Sequence, residues 1–516
     1  MIDTTANNKR IAKNTILLYG RMLLTMAVSL YTSRVVLNTL GVVDYGIYNV
    51  VGGVVAMFTF LNTAMVTSTQ RYLTFELGKG DFERLRIVFS TSIRIHIIIA
   101  SIIVLLTETI GLWFFYNKMV IPLERMTAAM WVLQLSVITI VIQVMSVPYN
   151  SLIIAHENMG VFAGVSILET FLRLGVVYLL LIGNFDKLIL YAILVALVQL
   201  LIRFIYTLYC GRHYGEVKLI EVKDKALMLE MGKFAGWNLW GNLASMLMGT
   251  GVNMLLNMFF GPAVNAARAV ALQVETAIAG FSSNYMMAVN PQITKQYAKG
   301  NRTEMLDLIF RASKFTFFLL LTLCLPVILE ADFILTIWLK LVPDYTVAFL
   351  RLLLIIMMIN ALTNPLQTAA AATGEVKKYQ MVVGCILLTI VPLSYIALKI
   401  GGEPTVVYIV YLCVCIVALV ARLLVIRPLL NLPIKQYIIR VLLRCIIVAL
   451  IASFSSFLCQ SFLPNGTIYS LLLCLLSVIF ALFSAYFAGL TNDERAFVNS
   501  KAIELLKKLS PNKRRP

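Results

Sequence analysis

Residues 70–81 of the chain read QRYLTFELGKGD, and residues 290–301 read NPQITKQYAKGN. The identical positions share a single sequence offset of 220, and they are Thr74/Thr294, Lys79/Lys299 and Gly80/Gly300. Each stretch follows one apolar run and precedes another, so each is predicted to be a basic, glycine-ended joint between two helices. The recurrence of this joint almost half the chain length away indicates an internal duplication.

A second pair of stretches supports the duplication. VPYNSLIIAHE at 147–157 and NPLQTAAAATGE at 364–375 both contain the pattern P-x-[N/Q]-[S/T]-x3-A, with Pro148 and Pro365 related by an offset of 217. Gly41 and Gly261 also align at the offset of 220, each between a first and a second apolar run. Two copies of six spans would have the same orientation, which is a parallel repeat about an axis along the membrane normal.

Composition shows that these apolar runs belong to a membrane protein. The 516 residues are 60% hydrophobic and 13% charged, and mean hydropathy is +0.88, whereas a soluble domain carries about 25% charged residues. Runs of about twenty apolar residues, long enough to cross a bilayer as a helix, recur along the whole chain. We predict an all-α integral membrane protein with about fourteen transmembrane helices.

The predicted organisation follows from the repeat. Two pseudo-twofold-related lobes of six helices occupy residues 1–225 and 226–425, and helices 13 and 14 occupy 426–490. The remaining residues, 491–516, start with a capping pattern and are rich in Lys. This tail is predicted to be a cytoplasmic amphipathic basic helix lying on the membrane surface.

Loop charges orient the predicted spans. The N-terminus, the even-numbered loops and the tail hold 26 Lys and Arg residues, and the opposite loops hold 5. Positively charged loops stay in the cytoplasm, so both termini are predicted to be cytoplasmic. The same asymmetry accounts for most of the net charge of +18. This charge faces anionic lipids of the inner leaflet and requires no nucleic acid.

Basic side chains within the spans are the candidates for a functional site. An unpaired charge at the centre of a membrane helix costs about 2.5–3.5 kcal/mol, so such residues should face a wet cavity, form pairs or reach the interface. On helical wheels, Arg21 shares a polar stripe with Thr25 and Ser29, and Arg268 shares one with Glu275 and Ser282. Packing between helices is the alternative explanation of these stripes. We predict that five residues contact the substrate: Arg21, Arg268, Arg311, Lys314 and Arg351.

The intramembrane carboxylates are few. Glu169 and Arg173 are spaced i,i+4 and can neutralise each other. Glu275 either pairs with Arg268 or takes up a proton or cation during energy coupling. Twelve basic side chains lie in or at the ends of the spans, whereas only three acidic ones, Glu108, Glu169 and Glu275, lie well inside them, so the cavity is predicted to be cationic. Arginine binds pyrophosphate through forked, charge-assisted hydrogen bonds, whereas a carrier of cationic drugs would need an acidic pocket.

Other chemistry is not indicated by the sequence. The eight cysteines lie in apolar runs without a CxxC motif and are predicted to be buried thiols. The three histidines lack the spacing of metal ligands, and no Walker A motif for ATP is present. We predict a protein that is not an enzyme and that uses neither a metal nor a cofactor.

Three stretches carry a family resemblance. They are SRVVLNTLGVVDYGIYNVVGGV at 33–54, Asn290-Pro291-Gln292-Ile293, and ATGEVKKY at 372–379. With these motifs the chain resembles the bacterial polysaccharide flippases, which handle O-antigen and other lipid-linked oligosaccharides. These belong to the multidrug/oligosaccharidyl-lipid/polysaccharide exporter superfamily. The resemblance implies a V-shaped, two-lobed carrier like the multidrug-and-toxin extruders.

The resemblance also implies an activity. The carrier would move undecaprenyl-pyrophosphate-linked oligosaccharide from the inner to the outer leaflet of the bacterial inner membrane by alternating access, for surface polysaccharide and lipopolysaccharide biosynthesis. Its partners would be this substrate, membrane lipids and other membrane proteins of glycan assembly. One alternative is a cation-coupled multidrug exporter of the same superfamily. A membrane glycan polymerase or ligase is a second alternative, but no predicted outer loop much exceeds about fifteen residues.

Overall fold

The computed structural model describes residues 2–56, 59–118, 121–180, 182, 185–220, 224–260, 262–339, 342–462, 464, 466–496 and 499. Every regular element within these ranges is a helix, and none of the described residues is in a strand. Eleven of the described helices are long and apolar enough to cross a membrane. The prediction of an all-α, multi-pass membrane protein is therefore confirmed.

The first part of the chain forms seven helices. In order, they are α1 (Ile2–Ala56), α2 (Thr59–Lys79), α3 (Phe82–Leu106), α4 (Leu112–Lys118), α5 (Met126–Ala155), α6 (Met159–Leu179) and α7 (Lys187–His213). Gly41 interrupts α1 with φ 80° and ψ 167°, where the sequence predicts the loop between the first two spans. A π-helical turn over Thr107–Gly111 joins α3 to α4, so that the two cover one predicted span.

The second part of the chain forms eleven helices. In order, they are α8 (Lys225–Phe260), α9 (Pro262–Ala298), α10 (Arg302–Leu329), α11 (Ala331–Leu339), α12 (Thr346–Thr373), α13 (Lys377–Leu388), α14 (Ile390–Lys399), α15 (Val406–Leu430), α16 (Ile434–Tyr437), α17 (Leu443–Phe462) and α18 (Thr467–Ser484). Helices α13 and α14 share one predicted span, as do α16 and α17. The fourteen predicted spans fall on these helices except for a few terminal or junction residues, such as 180, 182 and 389; residues 57, 58 and 181 lie outside the described residues.

The chain divides into two compact units. The first comprises Met1–Gly249, Ser283–Met305 and Gln367–Leu388, and the second comprises Thr250–Ser282, Leu306–Leu366 and Thr389–Pro516. The core of the first unit is built largely from α2, α3 and α5, and its most buried side chains include Leu73, Phe89 and Leu152. The lobe boundaries, the twofold relation and the tail helix stay predictions. Residues 497, 498 and 500–516 of that tail lie outside the described residues.

The two joints quoted above have the same backbone geometry. Gly80 has φ 78° and Gly300 has φ 77°, a conformation that costs least for a residue without a Cβ atom. The N–H of Asp81 donates to the carbonyl of Glu76 at 3.3 Å, and the N–H of Asn301 donates to that of Gln296 at 3.0 Å. This six-residue closure is typical of a Schellman motif. Helices α2 and α9 therefore end in the same way, at positions related by the sequence offset of the repeat.

Candidate substrate-binding site

Arg21 lies on α1 within the first unit and is surrounded by neutral groups. Its Nη2 donates a hydrogen bond to Oδ1 of Asn284 on α9 at 2.8 Å, and its Nη1 donates to Oγ of Ser166 on α6 at 3.5 Å. Its Cζ lies 4.8 Å from the centre of the Phe162 ring, within the range of a cation–π contact. Helices α6 and α9 thus hold the guanidinium without a carboxylate among these contacts.

The guanidinium of Arg21 also retains hydrogen-bonding capacity. Its Nε is buried and has no hydrogen-bond partner among the described residues. Buried polar atoms are nearly always hydrogen-bonded in folded proteins, so a buried donor without an acceptor is unusual. An anionic group that entered the site would supply both the acceptor and the negative charge.

A second polar group is formed by side chains of α6 and α7. Glu169 on α6 accepts a hydrogen bond from Nη2 of Arg173 at 2.9 Å and one from Nε2 of Gln199 on α7 at 2.6 Å. Tyr206, also on α7, lies within electrostatic range of both Arg21 and Glu169. The predicted residues Arg21, Glu169 and Arg173 are therefore brought into one region of the first unit.

Arg203 on α7 is a third cation beside Arg21 and Arg173, and it lies on the face of α7 that carries Gln199 and Tyr206. It lies between Gln199 and Tyr206 in a series spaced i, i+4 and i+7, which places the three on one side of the helix. Its Cζ is 5.6 Å from the Tyr149 ring, and its buried Nη1 has no partner within the described parts of the chain. We define the Arg21 cluster by these side chains: Arg21, Phe162, Ser166, Glu169, Arg173, Gln199, Arg203, Tyr206 and Asn284. With three arginines and one carboxylate, the cluster is net positive.

Arg268 and Arg311 lie in the second unit. Nη1 of Arg268 on α9 donates to Oδ1 of Asn253 on α8 at 3.2 Å. Glu275 is half-buried two turns further along α9. Arg311 is half-buried on α10, and its side chain makes no hydrogen bond or ion pair with the residues that the structure describes.

Lys314, on α10, has a carboxylate partner. Its Nζ donates to both carboxylate oxygens of Glu494 at 2.9 and 2.8 Å, and the two side chains are 3% and 6% exposed. Thr491 and Glu494 also exchange backbone-to-side-chain hydrogen bonds, which is a capping box. Burial raises the pKa of Glu494, but the hydrogen bonds from Lys314 and Thr491 lower it by more than burial raises it. The net shift is therefore downward.

Arg351, on α12, binds the end of a neighbouring helix. Its Nε donates to the carbonyl of Ile328 at 2.8 Å, and its Nη2 reaches the carbonyl of Leu329 at 3.5 Å and Asp332 at 3.4 Å. Carbonyls in the last turn of a helix lack partners within the helix, so Arg351 caps α10. Of the five residues predicted to contact substrate, Lys314 and Arg351 thus have clear structural partners in this state.

Among the basic residues that the loop-charge count assigns to loops, Arg71 and Arg422 are buried inside helices. Arg71 is 8% exposed within α2, which continues past its apolar run until Gly80. Arg422 is 9% exposed within α15, and its Nη1 donates to Oγ1 of Thr363 at 2.9 Å. Both assignments are wrong because hydropathy marks where a helix ceases to be apolar, whereas these helices end at turns several residues later.

Sequence reasoning also missed a carboxylate at the end of α5. Glu157 has a side chain that is 1% exposed and binds Nη2 of Arg10 at 2.6 Å and Nζ of Lys295 at 2.5 Å. Gln292 donates to it as well. The signal was present, because Glu157 is the last residue of the quoted stretch 147–157, and both Gln292 and Lys295 lie in the quoted joint.

Metal and thiol chemistry receive no support from the described residues. They contain no group of three His, Cys, Asp or Glu side chains that could hold a metal ion. Four cysteines are buried, as predicted: Cys210, Cys324, Cys415 and Cys445. Cys385 and Cys413 lie instead on the protein surface, where their apolar helices face outward.

Solved structures identify the fold. The chain matches a MATE protein in the bent conformation with a TM-score of 0.72 at 14% identity, over 84% of this chain and 97% of that one. It matches the outward-facing structure of a multidrug resistance MATE family transporter of the MOP superfamily with a TM-score of 0.70 at 14% identity, over 82% and 96%. The chain therefore has the MATE-like fold that the sequence predicts.

A third match concerns the polarity of a pocket. It is a MOP superfamily transporter from Pyrococcus furiosus, for which a reversed polarity of the binding pocket suggests a different function. The TM-score is 0.68 at 14% identity, over 82% of this chain and 96% of that one. No protein-family model and no curated protein sequence matches the chain.

Proposed function

We propose that the chain is a transporter for an anionic, lipid-linked substrate, and that this substrate is undecaprenyl-pyrophosphate-linked oligosaccharide. One observation carries the proposal: Arg21, within the membrane-embedded fold, is held by neutral Asn284 and Ser166 and keeps a buried Nε without a partner among the described residues. A guanidinium held in this way presents a charge and a donor fork, which match pyrophosphate oxygens. The family resemblance of the motifs supports the oligosaccharide part.

Each group in and around the Arg21 cluster would have a separate role in binding the substrate. Arg21 and Arg203 would donate hydrogen bonds to the pyrophosphate. The ring of Phe162 would position the guanidinium of Arg21, and the ring of Tyr149 would position that of Arg203. Glu169 would stay occupied by Arg173 and Gln199, which limits its repulsion of the substrate. Transport would follow by alternating access, in the bacterial inner membrane with both termini in the cytoplasm, and without catalysis or ATP.

Export of cationic drugs is the second candidate. It is favoured by the structural neighbours, which include a multidrug resistance MATE family transporter. The Pyrococcus furiosus protein, with its pocket of reversed polarity, supports the view that pocket charge divides functions within this fold. Net positive charge at the Arg21 cluster therefore favours the anionic substrate here. The drug exporter would instead require Glu169 or Glu275 to hold the cation.

Surface glycan measured in cells tests the proposal. Cells that lack their own copy of the gene would express the wild type, Arg21→Ala, Arg21→Lys or the control Arg212→Ala, which removes an exposed arginine at the end of α7. We expect Arg21→Ala to reach the membrane at normal abundance, to lose most surface glycan and to accumulate lipid-linked precursor in the inner leaflet. Arg21→Lys should recover part of the export, because it keeps the charge and loses the fork.

Two results would contradict the proposal. Full export of glycan by Arg21→Ala would show that this arginine does not contact the substrate. Normal glycan in cells without the gene, together with increased sensitivity to cationic drugs, would instead support the drug exporter. The Arg212→Ala control should behave as the wild type in both assays.

A further inference from the structure

Two contacts join the ends of four helices in the first unit. In the first contact, Arg71 of α2 donates from Nε to the carbonyl of Ala371 at 3.1 Å and from Nη2 to that of Ala372 at 3.0 Å. These carbonyls lie in the last turn of α12, just before Gly374, which has φ 85°. A cation at the C-terminal end of a helix is favourable because orphan carbonyls accept its hydrogen bonds.

The second contact joins α9 to the end of α5. Lys295 and Gln292 of α9 donate to the carboxylate of Glu157, which lies just after the last residue of α5 and its cap His156. Arg10 of α1 binds the same carboxylate at 2.6 Å, and Nδ2 of Asn14 donates to the Glu157 carbonyl at 3.2 Å. We define the Glu157 cluster by these side chains: Arg10, Asn14, Glu157, Gln292 and Lys295.

The two contacts occupy equivalent positions in the repeat. Glu157 and Gly374 are related by the same offset as Pro148 and Pro365, and both have positive φ, at 60° and 85°. The N–H of Glu157 donates to the carbonyl of Ile154 at 2.8 Å, as that of Gly374 does to the carbonyl of Ala371 at 3.1 Å. Helix α2 of one copy therefore contacts the fourth span of the other copy, and α9 makes the reciprocal contact.

The joints themselves meet between these two contacts. A Cβ atom placed on Gly78 would lie 2.7 Å from Cβ of Ala298 and 3.0 Å from Cα of Lys295. Gly78 and Ala298 are equivalent positions of the two joints, so each touches its own equivalent, as residues on a twofold axis do. The rings of Phe75 and Tyr297 lie 6.3 Å apart beside them. The ends of α2 and α9 are therefore in direct contact here.

The two equivalent contacts differ in the groups that form them. Arg71 is 8% exposed and binds backbone carbonyls, so the accepting groups have no side-chain freedom of their own. The Glu157 cluster is held by side chains, of which Arg10 is 48% exposed and Lys295 is 18% exposed. Rotation of these side chains would break it without any change in secondary structure. An L-residue with positive φ is also uncommon, so Glu at the position where the other copy has Gly indicates a need for the carboxylate.

We propose that the Glu157 cluster is a latch that holds this face of the first unit closed, and that its ion pairs break each time the ends of α5 and α9 separate. Arg71 and Lys295 both lie on the side that is predicted to be cytoplasmic, so the latch closes the entry from the cytoplasm. The inference rests on the proposed transport function, because only a transport cycle requires this face to open.

Hydrogen exchange of the full-length protein in lipid nanodiscs, without substrate, tests the latch. Lys295→Met removes the ammonium group but keeps most of the side-chain length. Peptides over residues 152–160 and 292–301 should then exchange roughly tenfold faster than in the wild type, because local opening no longer breaks the buried pair. Lys299→Met, which removes an exposed lysine of the same joint, is the matched control and should leave exchange unchanged.

A second variant and a distant control keep the test specific. Glu157→Gln retains a partner for Gln292 and loses both ion pairs, so it should accelerate exchange in the same peptides. Arg125→Met removes a different ion cluster, in which Arg125 binds Asp44 at 2.5 Å and Asp186 at 2.6 Å. It should leave the 152–160 peptide unaffected. Unchanged exchange in both latch variants, or a uniform rise that includes the buried N-terminal part of α5 around Leu133, would overturn the proposal.

The outcome separates the latch from the proposed substrate. Faster exchange of the latch peptides in a protein that binds no pyrophosphate lipid would support the latch and reject the substrate. Pyrophosphate binding together with unchanged exchange in Lys295→Met and Glu157→Gln would reject the latch and leave the proposed function intact.

Discussion

Arg21 and Lys314 illustrate two ways of keeping a basic side chain inside an apolar helix. Lys314 is 3% exposed and donates to both oxygens of Glu494, so its charge is neutralised within the second unit. Arg21, in the first unit, is held by the neutral groups of Asn284 and Ser166 and has a buried donor without a partner among the described residues. The sequence marks both as costly charges. Only the chemistry of the partner separates a structural cation from one that can still bind an anion.

The largest loss of stability is expected at Lys314. Lys314→Met leaves Glu494 buried without a counter-charge, and breaking a buried pair in this way costs about 3–5 kcal/mol. The variant should be recovered from membranes in low yield and should unfold at a lower temperature. Combining it with Glu494→Leu should restore most of the stability, because neither charge then remains buried alone. A single variant as stable as the wild type would contradict the structural role.

A smaller loss is expected at Arg351. Arg351→Met removes the hydrogen bonds to the carbonyls of Ile328 and Leu329 at the end of α10, and each such bond contributes about 1 kcal/mol. The unfolding temperature of the purified protein should fall by a few degrees. Asp332→Asn is the control and should have little effect, because the Asp332 side chain is 77% exposed and its contact is long at 3.4 Å. If Asp332→Asn proved the more harmful change, the capping explanation would fail.

The smallest loss of stability among the paired residues is expected at Arg173. Arg173 and Glu169 are spaced i,i+4 and are 39% and 28% exposed, and such pairs contribute about 0.2–0.5 kcal/mol. In Arg173→Met, Glu169 still accepts its hydrogen bond from Gln199, so the unfolding temperature should stay within about a degree or two of the wild-type value. Affinity for an anionic lipid should nevertheless fall, because the Arg21 cluster loses one positive charge. Strong destabilisation would show instead that this ion pair stabilises the fold as much as the buried pair of Lys314 and Glu494 does.

The fold could be predicted from the sequence because bilayer thickness fixes the length of a spanning helix. Each apolar run became a helix, and the duplicated joints at Gly80 and Gly300 have the same backbone geometry. The ends of helices were less predictable. Arg71 lies beyond the apolar run of its helix, and its acceptors are carbonyls 300 residues further along the chain. No local pattern encodes such a contact.

The site could be predicted in part. The polar stripe of the first span predicts Arg21 as a site residue, which stays a prediction, and the i,i+4 spacing predicts the ion pair of Glu169 and Arg173 that the structure contains. Lys314 was grouped with Arg21 because its partner Glu494 lies 180 residues away, in a segment that composition assigns to the membrane surface. Pairing across such distances depends on tertiary packing, so sequence periodicity cannot separate these two residues.

Binding of undecaprenyl pyrophosphate to the purified protein tests the account most directly. The lipid would be titrated in nanodiscs against the wild type, Arg21→Ala and Arg21→Lys, with undecaprenyl monophosphate and ethidium as the competing anion and cation. A charge-assisted hydrogen bond contributes about 1.5–3 kcal/mol. We therefore predict that Arg21→Ala binds the pyrophosphate lipid at least about tenfold more weakly and that Arg21→Lys is intermediate. The unfolding temperature of Arg21→Ala should fall by no more than a few degrees, because only the hydrogen bonds to Asn284 and Ser166 and the contact with Phe162 are lost. Equal affinity of Arg21→Ala and the wild type, or a preference of the wild type for ethidium, would contradict the account.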